Sequence, residues 1–467
     1  MDGMPADTKT RTNPYLRGNF APVRTEDDFT LTVEGTLPET LSGTLYRNGP
    51  NPQFEPRDDA YHWFIGDGML HAFDIQNGAL TYRNRWVRTE KWTREHAAGH
   101  ALWGSWGNPV SSDPSVLGTD GGVANTNIIH HAGRLLALEE AHAPTAIAPH
   151  TLDTLGPIDL GGRVTAHPKF DPATGEMIFF AYADDDAPLS ARISWGVANA
   201  AGELVKRESF EAPYCAMVHD FVITEHYVVI PVLPLRGDIL RAMHGGPIFA
   251  WEPDQPSLVA VMRRDQGVGS LRWFKVAPCF VFHFMNAYEH NGKLIAEVMR
   301  YPTAPLFPLA NGAPGEDSGA VLTRWELPLD GSTDSIRETQ LDDLQGEFPR
   351  FDPRHEGRAY TQGWFAGQTH PTRGAITDTI AHINLTTGKR ADYALPKGDA
   401  MSEPVFVPRA ADAAEGEGYI LAVAYRGETN TSEFMVLDAQ DIPAGPIARA
   451  KLPRRVPFGF HGNFVAR

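Results

Sequence analysis

The chain has 467 residues, of which 42% are hydrophobic, with a mean hydropathy of −0.30 and a formal charge of −17. That is enough apolar material for a large core, while the acidic balance excludes the basic footprint that nucleic acid demands and argues against attachment to anionic lipid. No apolar run approaches the roughly 18–20 residues that span a bilayer, so no stable membrane insertion is expected.

Taken in order, residues 1–20 are polar, carry Lys and Arg, and lack the apolar stretch of a signal peptide. They read as a flexible N-terminal segment, with 21–467 as a single domain. From there, turn signals flanked by β-type runs recur. Asn77-Gly78, Ala132-Gly133, Thr174-Gly175, Asn291-Gly292 and Thr387-Gly388 each separate two strand-like segments. A tight hairpin turn needs positive φ, which Gly and Asn supply at least cost. Sustained 3.6-residue periodicity is nearly absent, and no βαβ rhythm alternates. The chain is therefore expected to be all-β, and hairpins running for over 400 residues close most economically as a propeller. The 44 Gly and 37 Pro are spread along the chain as turns, with no low-complexity linker. Only Cys215 and Cys279 are present. They read as buried small apolar residues in a reducing compartment, which makes the cytoplasm the expected location.

Four histidines stand in unusual apolar contexts far apart in the chain: His167 in TAHPKFDP, His219 in AMVHDFVIT, His283 in FVFHFMNAYE and His461 in FGFHGNF. No helix or hairpin could gather them; only a closed architecture that returns repeatedly to one axis could. An all-imidazole site suits iron, zinc, copper or nickel without built-in preference. Four neutral ligands leave a divalent charge uncompensated, so outer carboxylates are needed to accept from the imidazole N–H groups and fix their tautomers.

These contexts, with YRNGPNPQF (46–54), WFIGDGMLHAF (63–73), VANTNII (123–129) and SEPVFVPR (402–409), resemble the carotenoid cleavage oxygenase family from about residue 20 to the end. The resemblance implies a seven-bladed β-propeller with a cap of loops and short helices over the metal face, and 231–275 looks like part of that cap. It implies one Fe(2+) per chain held by His167, His219, His283 and His461, and outer glutamates at Glu140, Glu347 and Glu403. It also implies that Thr126 crowds one of two open coordination positions with its methyl group. The implied reaction is oxidative cleavage of a conjugated C=C bond by O2 into two carbonyl products. Its substrate would be a small apolar alkene, reached through an apolar channel for which Phe64, Trp106, Phe282 and Phe307 are candidates.

Family members divide between carotenoid or apocarotenoid substrates and phenolic alkenes such as lignostilbenes and isoeugenol. Much of 88–116 and 248–289 resembles the phenolic branch, which holds its phenol with a Tyr and a Lys. Here the matching positions are Trp106 and Glu139, which cannot supply that pair. The expectation is an apocarotenoid or an aryl alkene that need not carry a 4-hydroxyl, with phenol-specific cleavage as the alternative. A non-catalytic metal-binding propeller scaffold is the remoter one. Motifs of other enzyme classes (GxSxG, HExxH, CxxC, a phosphate-binding loop) are missing.

Overall fold

The computed structural model of the chain describes residues 13–105, 109–370 and 376–467. These residues divide into two compact units. One comprises the chain up to Asp159 with Val423–Met435 and Ala448–Arg467, and the other comprises Leu160–Ala422 with Val436–Ile447.

The anticipated turns are present. Asn77 and Gly78 (φ 51° and 74°), Ala132 and Gly133 (50° and 73°) and Asn291 and Gly292 (48° and 74°) all have positive φ, the geometry of the two-residue hairpin. They join strands into antiparallel arrays, seven of which, among the described residues, hold four or more strands. In the first unit, Asp28–Leu31, Ala79–Trp86, Gly68–Gln76, Gly43–Pro50 and the C-terminal Gly462–Ala466 form one array. Its last pairing, Gly43 with Ala466 through Arg47 with Gly462, ties the two ends of the fold together. Asn127–His131, Arg134–Leu138, Thr145–Ile147 and Thr154–Pro157 form the second. Tyr46, Leu70, Ile128, Leu135 and Ile147 pack as a buried cluster of this unit.

In the second unit, the third array begins at Lys169–Phe170 and the fourth at Val222–Ile223. The fifth runs from Phe280–His290 to Arg337–Phe351. That 15-residue strand serves twice: its first part pairs with Val321–Pro328, and residues from Gly346 onward pair with Gln362–Gly367 to open the sixth array. Ala400–Met401 and Val405–Pro408 begin the seventh. Trp195, Trp325 and Trp364 are fully buried in this unit.

The expected cap at 231–275 is narrower than the sequence suggests. Leu258–Arg263 and Arg272–Lys275 are ordinary strands of the fourth array, paired in register with Tyr227–Val232 and with each other. What interrupts the array is a short ribbon, Leu235–Gly237 with Phe249–Trp251, and the helix Ile239–Met243 capped by Asp238. Residues 258–263 are a short continuous apolar run buried from Val259 to Met262, the pattern of a strand covered on both faces, which periodicity by itself does not separate from other buried segments. Within the 1–20 segment, the described part forms two 3-10 turns, Pro14–Leu16 and Gly18–Phe20. Its Tyr15 and Phe20 pack on Trp63 and Phe458. Among the described residues no helix is long and apolar enough to cross a membrane.

Candidate metal centre

Each array delivers one of the anticipated site residues from its edge strand. His461 immediately precedes Gly462–Ala466, and Thr126 immediately precedes Asn127–His131. His167 lies two residues before Lys169–Phe170, and His219 three before Val222–Ile223. His283 lies within Phe280–His290, Glu347 within Arg337–Phe351, and Glu403 between Ala400–Met401 and Val405–Pro408. Recurrence at the same topological position, array after array, is how residues remote in sequence come to share one location.

The four imidazoles converge. One ring nitrogen from each of His167, His219, His283 and His461 lies within 4.8 Å of all the others. His219 Nε2 is 3.0 Å from His167 Nε2 and 3.2 Å from His283 Nε2. Two nitrogens each about 2.1 Å from one ion and at right angles to each other would stand roughly 3 Å apart. The donor set itself fits a cation. His283 Nδ1 lies 2.5 Å from Glu347 Oε2, with both side chains buried, so that nitrogen carries the proton and the Nε2 lone pair is left facing His219. Lone pairs aimed at one another repel unless a positive charge sits between them. The field agrees: burial opposes an imidazolium at His283, yet the Glu347 carboxylate outweighs it and raises the His283 pKa.

The surroundings hold these groups in place. Glu347 also accepts from the Phe348 N–H at 2.9 Å, and burial together with Glu347 keeps the Tyr301 phenol protonated far above its usual range. Glu403 is 2% exposed, with Arg350 at 3.6 Å. The His461 N–H donates to the Thr126 carbonyl (3.2 Å) and its own carbonyl accepts from Asn48 (2.9 Å). The Thr126 hydroxyl donates to Asn125 Oδ1 at 3.0 Å, and the Asn125 amide donates in turn to the carbonyls of Phe64 and Gly66, both at 2.7 Å. Phe64 is half-buried and meets Phe460, the neighbour of His461, at 5.7 Å between ring centroids.

Phe282 stands edge-on to His219, with centroids 5.2 Å apart, and lines a cavity of about 440 Å³ together with Tyr301, Leu306 and Glu347. Phe307 is buried beside that cavity's Pro305–Leu306 wall. Glu140 is half-buried just beyond the strand Arg134–Leu138. Glu139 too lies past the strand end, where its carboxylate accepts from the Val123 N–H at 3.1 Å and pairs with His142, which also meets Asp120 at 3.3 Å. Trp106 lies outside the described residues. Both cysteines are buried free thiols, and burial pushes them up, Cys215 to about 11 and Cys279 to about 12, which leaves them unreactive near neutrality.

Sequence reasoning passed over Asp220, Lys169 and Tyr301. The signal for the first was available: an acidic residue directly after one of the four histidines, inside an otherwise apolar run.

Comparison with known proteins bears on this geometry. The family profile described as retinal pigment epithelial membrane protein (RPE65) matches residues 20–466. An isoeugenol monooxygenase of Pseudomonas nitroreducens is 38% identical, covering 98% of this chain and 99% of that protein. A lignostilbene-alpha,beta-dioxygenase isozyme III of Sphingomonas paucimobilis is 37% identical, covering 96% of each chain. The crystal structure of Pseudomonas brassicacearum lignostilbene dioxygenase superposes with a TM-score of 0.93 at 35% identity, covering 97% of this chain and 98% of that one. Together with the seven arrays, this likeness shows the expected β-propeller. The chain belongs to the RPE65/carotenoid cleavage oxygenase family.

Proposed function

We propose that this chain is a non-haem Fe(2+)-dependent oxygenase that cleaves the conjugated C=C bond of an aryl alkene or apocarotenoid with O2. One double bond is broken, two C=O bonds form, and both electron pairs come from the alkene, so no external reductant is needed. The observation that carries the reading is the meeting of the four imidazoles, with the His283 lone pair directed inward by Glu347.

His167, His219, His283 and His461 would hold one Fe(2+) per chain, and the ion when bound supplies the one-electron chemistry that triplet O2 requires. The protein's own work is placement. Glu347 keeps the proton of His283 on Nδ1, and Glu403 and Glu140 are assigned the same duty toward other ligands. Thr126, its hydroxyl taken by Asn125, presents its methyl group as the bulk that restricts approach. Phe282, Phe64 and Phe307 offer apolar surface that excludes water and orients the alkene. Residues 21–467 act as one domain, a reading supported by the pairing of Gly43–Pro50 with Gly462–Ala466. The two free buried thiols fit a cytoplasmic setting.

Of the two substrate classes, aryl alkenes are favoured by the names of the isoeugenol- and lignostilbene-cleaving relatives, which are 38% and 37% identical. Because Glu139 is already engaged by Val123 and His142, a 4-hydroxyl is not required in this reading. A phenol-requiring enzyme is the second reading, favoured by the isoeugenol and lignostilbene names alone. The test is to incubate iron-loaded protein under O2 with a stilbene, a phenylpropenoid and an apocarotenoid, and to detect aldehydes by chromatography. Metal binding without aldehyde from any of the three classes would leave only the scaffold alternative.

A further inference from the structure

One carboxylate links residues that neighbour three of the four histidines. Asp220 follows His219 directly and is 2% exposed. Its Oδ1 accepts from the Phe221 N–H at 2.8 Å and pairs with Lys169 Nζ at 2.8 Å; its Oδ2 accepts from the Phe284 N–H at 2.9 Å. Lys169 stands two residues after His167, and Phe284 one residue after His283.

The location explains why a side chain is needed there. Phe280–His290 is the edge strand of its array, and its register slips between Val281 and Phe284, at the histidine itself. An edge N–H facing away from the ladder has no strand partner, and when buried it requires another acceptor. Asp220 supplies it, and the same side chain holds the ammonium of Lys169, so three edge strands are linked at the residues adjoining their ligands. His219 is also the middle imidazole, 3.0 Å from His167 and 3.2 Å from His283.

We propose that Asp220, with Lys169 as its counter-charge, is a positioning residue for the metal centre: it does not touch the ion but sets the spacing of the His167, His219 and His283 nitrogens. This rests on the four-histidine metal reading. An amide in place of the carboxylate keeps one accepting oxygen and presents an NH2 group that cannot accept. Asp220→Asn therefore leaves either Phe221 or Phe284 without its acceptor and leaves Lys169 without its counter-ion.

The experiment uses Co(2+) as probe, with affinity measured by chelator competition and ligand geometry by the visible ligand-field spectrum. Unfolding of the metal-free protein is followed in parallel. Asp220→Asn is expected to fold, to bind Co(2+) about 10–100-fold more weakly, and to show a shifted spectrum, as loss of an outer partner of a ligand does. Wild-type affinity and spectrum in Asp220→Asn would overturn the proposal. So would an unshifted spectrum accompanied only by a lower unfolding midpoint, which would mark a purely structural residue. Should Asp220→Asn fail to fold, Lys169→Met, which keeps both N–H bonds to Asp220, is expected to weaken Co(2+) binding by about threefold or more; no change would refute the role of the pair. Failure of the wild-type protein to take up one equivalent of Co(2+) would instead strike the metal reading itself.

Discussion

Replacing Glu347 by Gln tests how far the second ring of residues governs the metal site. In the structure the carboxylate accepts from His283 Nδ1 at 2.5 Å and from the Phe348 N–H at 2.9 Å, and its side chain is 5% exposed. Gln is nearly isosteric and keeps an accepting oxygen, so the imidazole tautomer survives while the negative charge is lost. A hydrogen bond to a charged group is worth about 1.5–3 kcal/mol against about 1 for a neutral one. The lost charge by itself accounts for about 0.5–2 kcal/mol, a factor of about 2–30 in affinity, and losing an outer partner of a metal ligand typically costs about 10–100-fold, so a loss of about tenfold or more is expected. Glu347→Ala should cost more, because it strands two buried N–H groups at about 1–3 kcal/mol each. Competition of Co(2+) or Fe(2+) against a chromophoric chelator measures both variants, with metal-free unfolding curves showing that the fold is retained. If Glu347→Gln binds metal within threefold of wild type, the carboxylate does not tune the centre, and the argument from the His283 tautomer fails.

Removing a ligand should act more harshly. His461→Ala is expected to retain less than about a tenth of an equivalent of iron after desalting and to form no aldehyde; wild-type iron content would remove His461 from the set. Because Glu139 is held by the Val123 N–H and His142, a 4-hydroxystilbene and its 4-methoxy analogue should react within about an order of magnitude in kcat/KM, under about 1.4 kcal/mol in barrier. Cleavage confined to the 4-hydroxy compound would establish the phenol-requiring reading. Stability should fall in acid through His71, a 3%-exposed imidazole 2.8 Å from the Tyr82 hydroxyl, whose pKa burial lowers to about 3. The unfolded chain takes up a proton below its ordinary 6.5 that the folded chain refuses, so stability is lost as pH drops from about 6.5 toward 3. Urea midpoints at pH 7 and pH 5 should reflect about 2 kcal/mol of loss from this group, and His71→Gln should reduce the difference. An unchanged pH dependence in that variant would place the acid sensitivity elsewhere.

Much of the scaffold was legible because its determinants are local. Asn77-Gly78 and Asn291-Gly292 turn where they do because positive φ is cheap only for such residues, and the strands on either side follow from alternation. The four histidines were legible as a set through their motif contexts, and their meeting follows from chain topology, since each lies at the entry to, or within, an edge strand of its array. Contacts that depend on where a strand stops or kinks were not legible. Glu139 and Glu140 follow directly on the run of Arg134–Leu138 in sequence, yet the strand ends at Leu138, and Glu139 is claimed by His142. Glu347 reaches His283 from a strand that changes partners at Gly346 and carries Phe348 at φ 57°, a kink that no hydrophobic pattern announces. Asp220 reads as one acidic residue in an apolar run, and only the assembled edges show that it serves an N–H from one histidine's strand and an ammonium from another's. Alternation and turn propensity are encoded over a few residues, and so the amino-acid sequence by itself determined most of the hairpins and singled out the four histidines that meet. The partner of a buried polar group is chosen among residues about 64 positions away, by whichever unpaired N–H the folded edge leaves behind, and only the tertiary structure decides that.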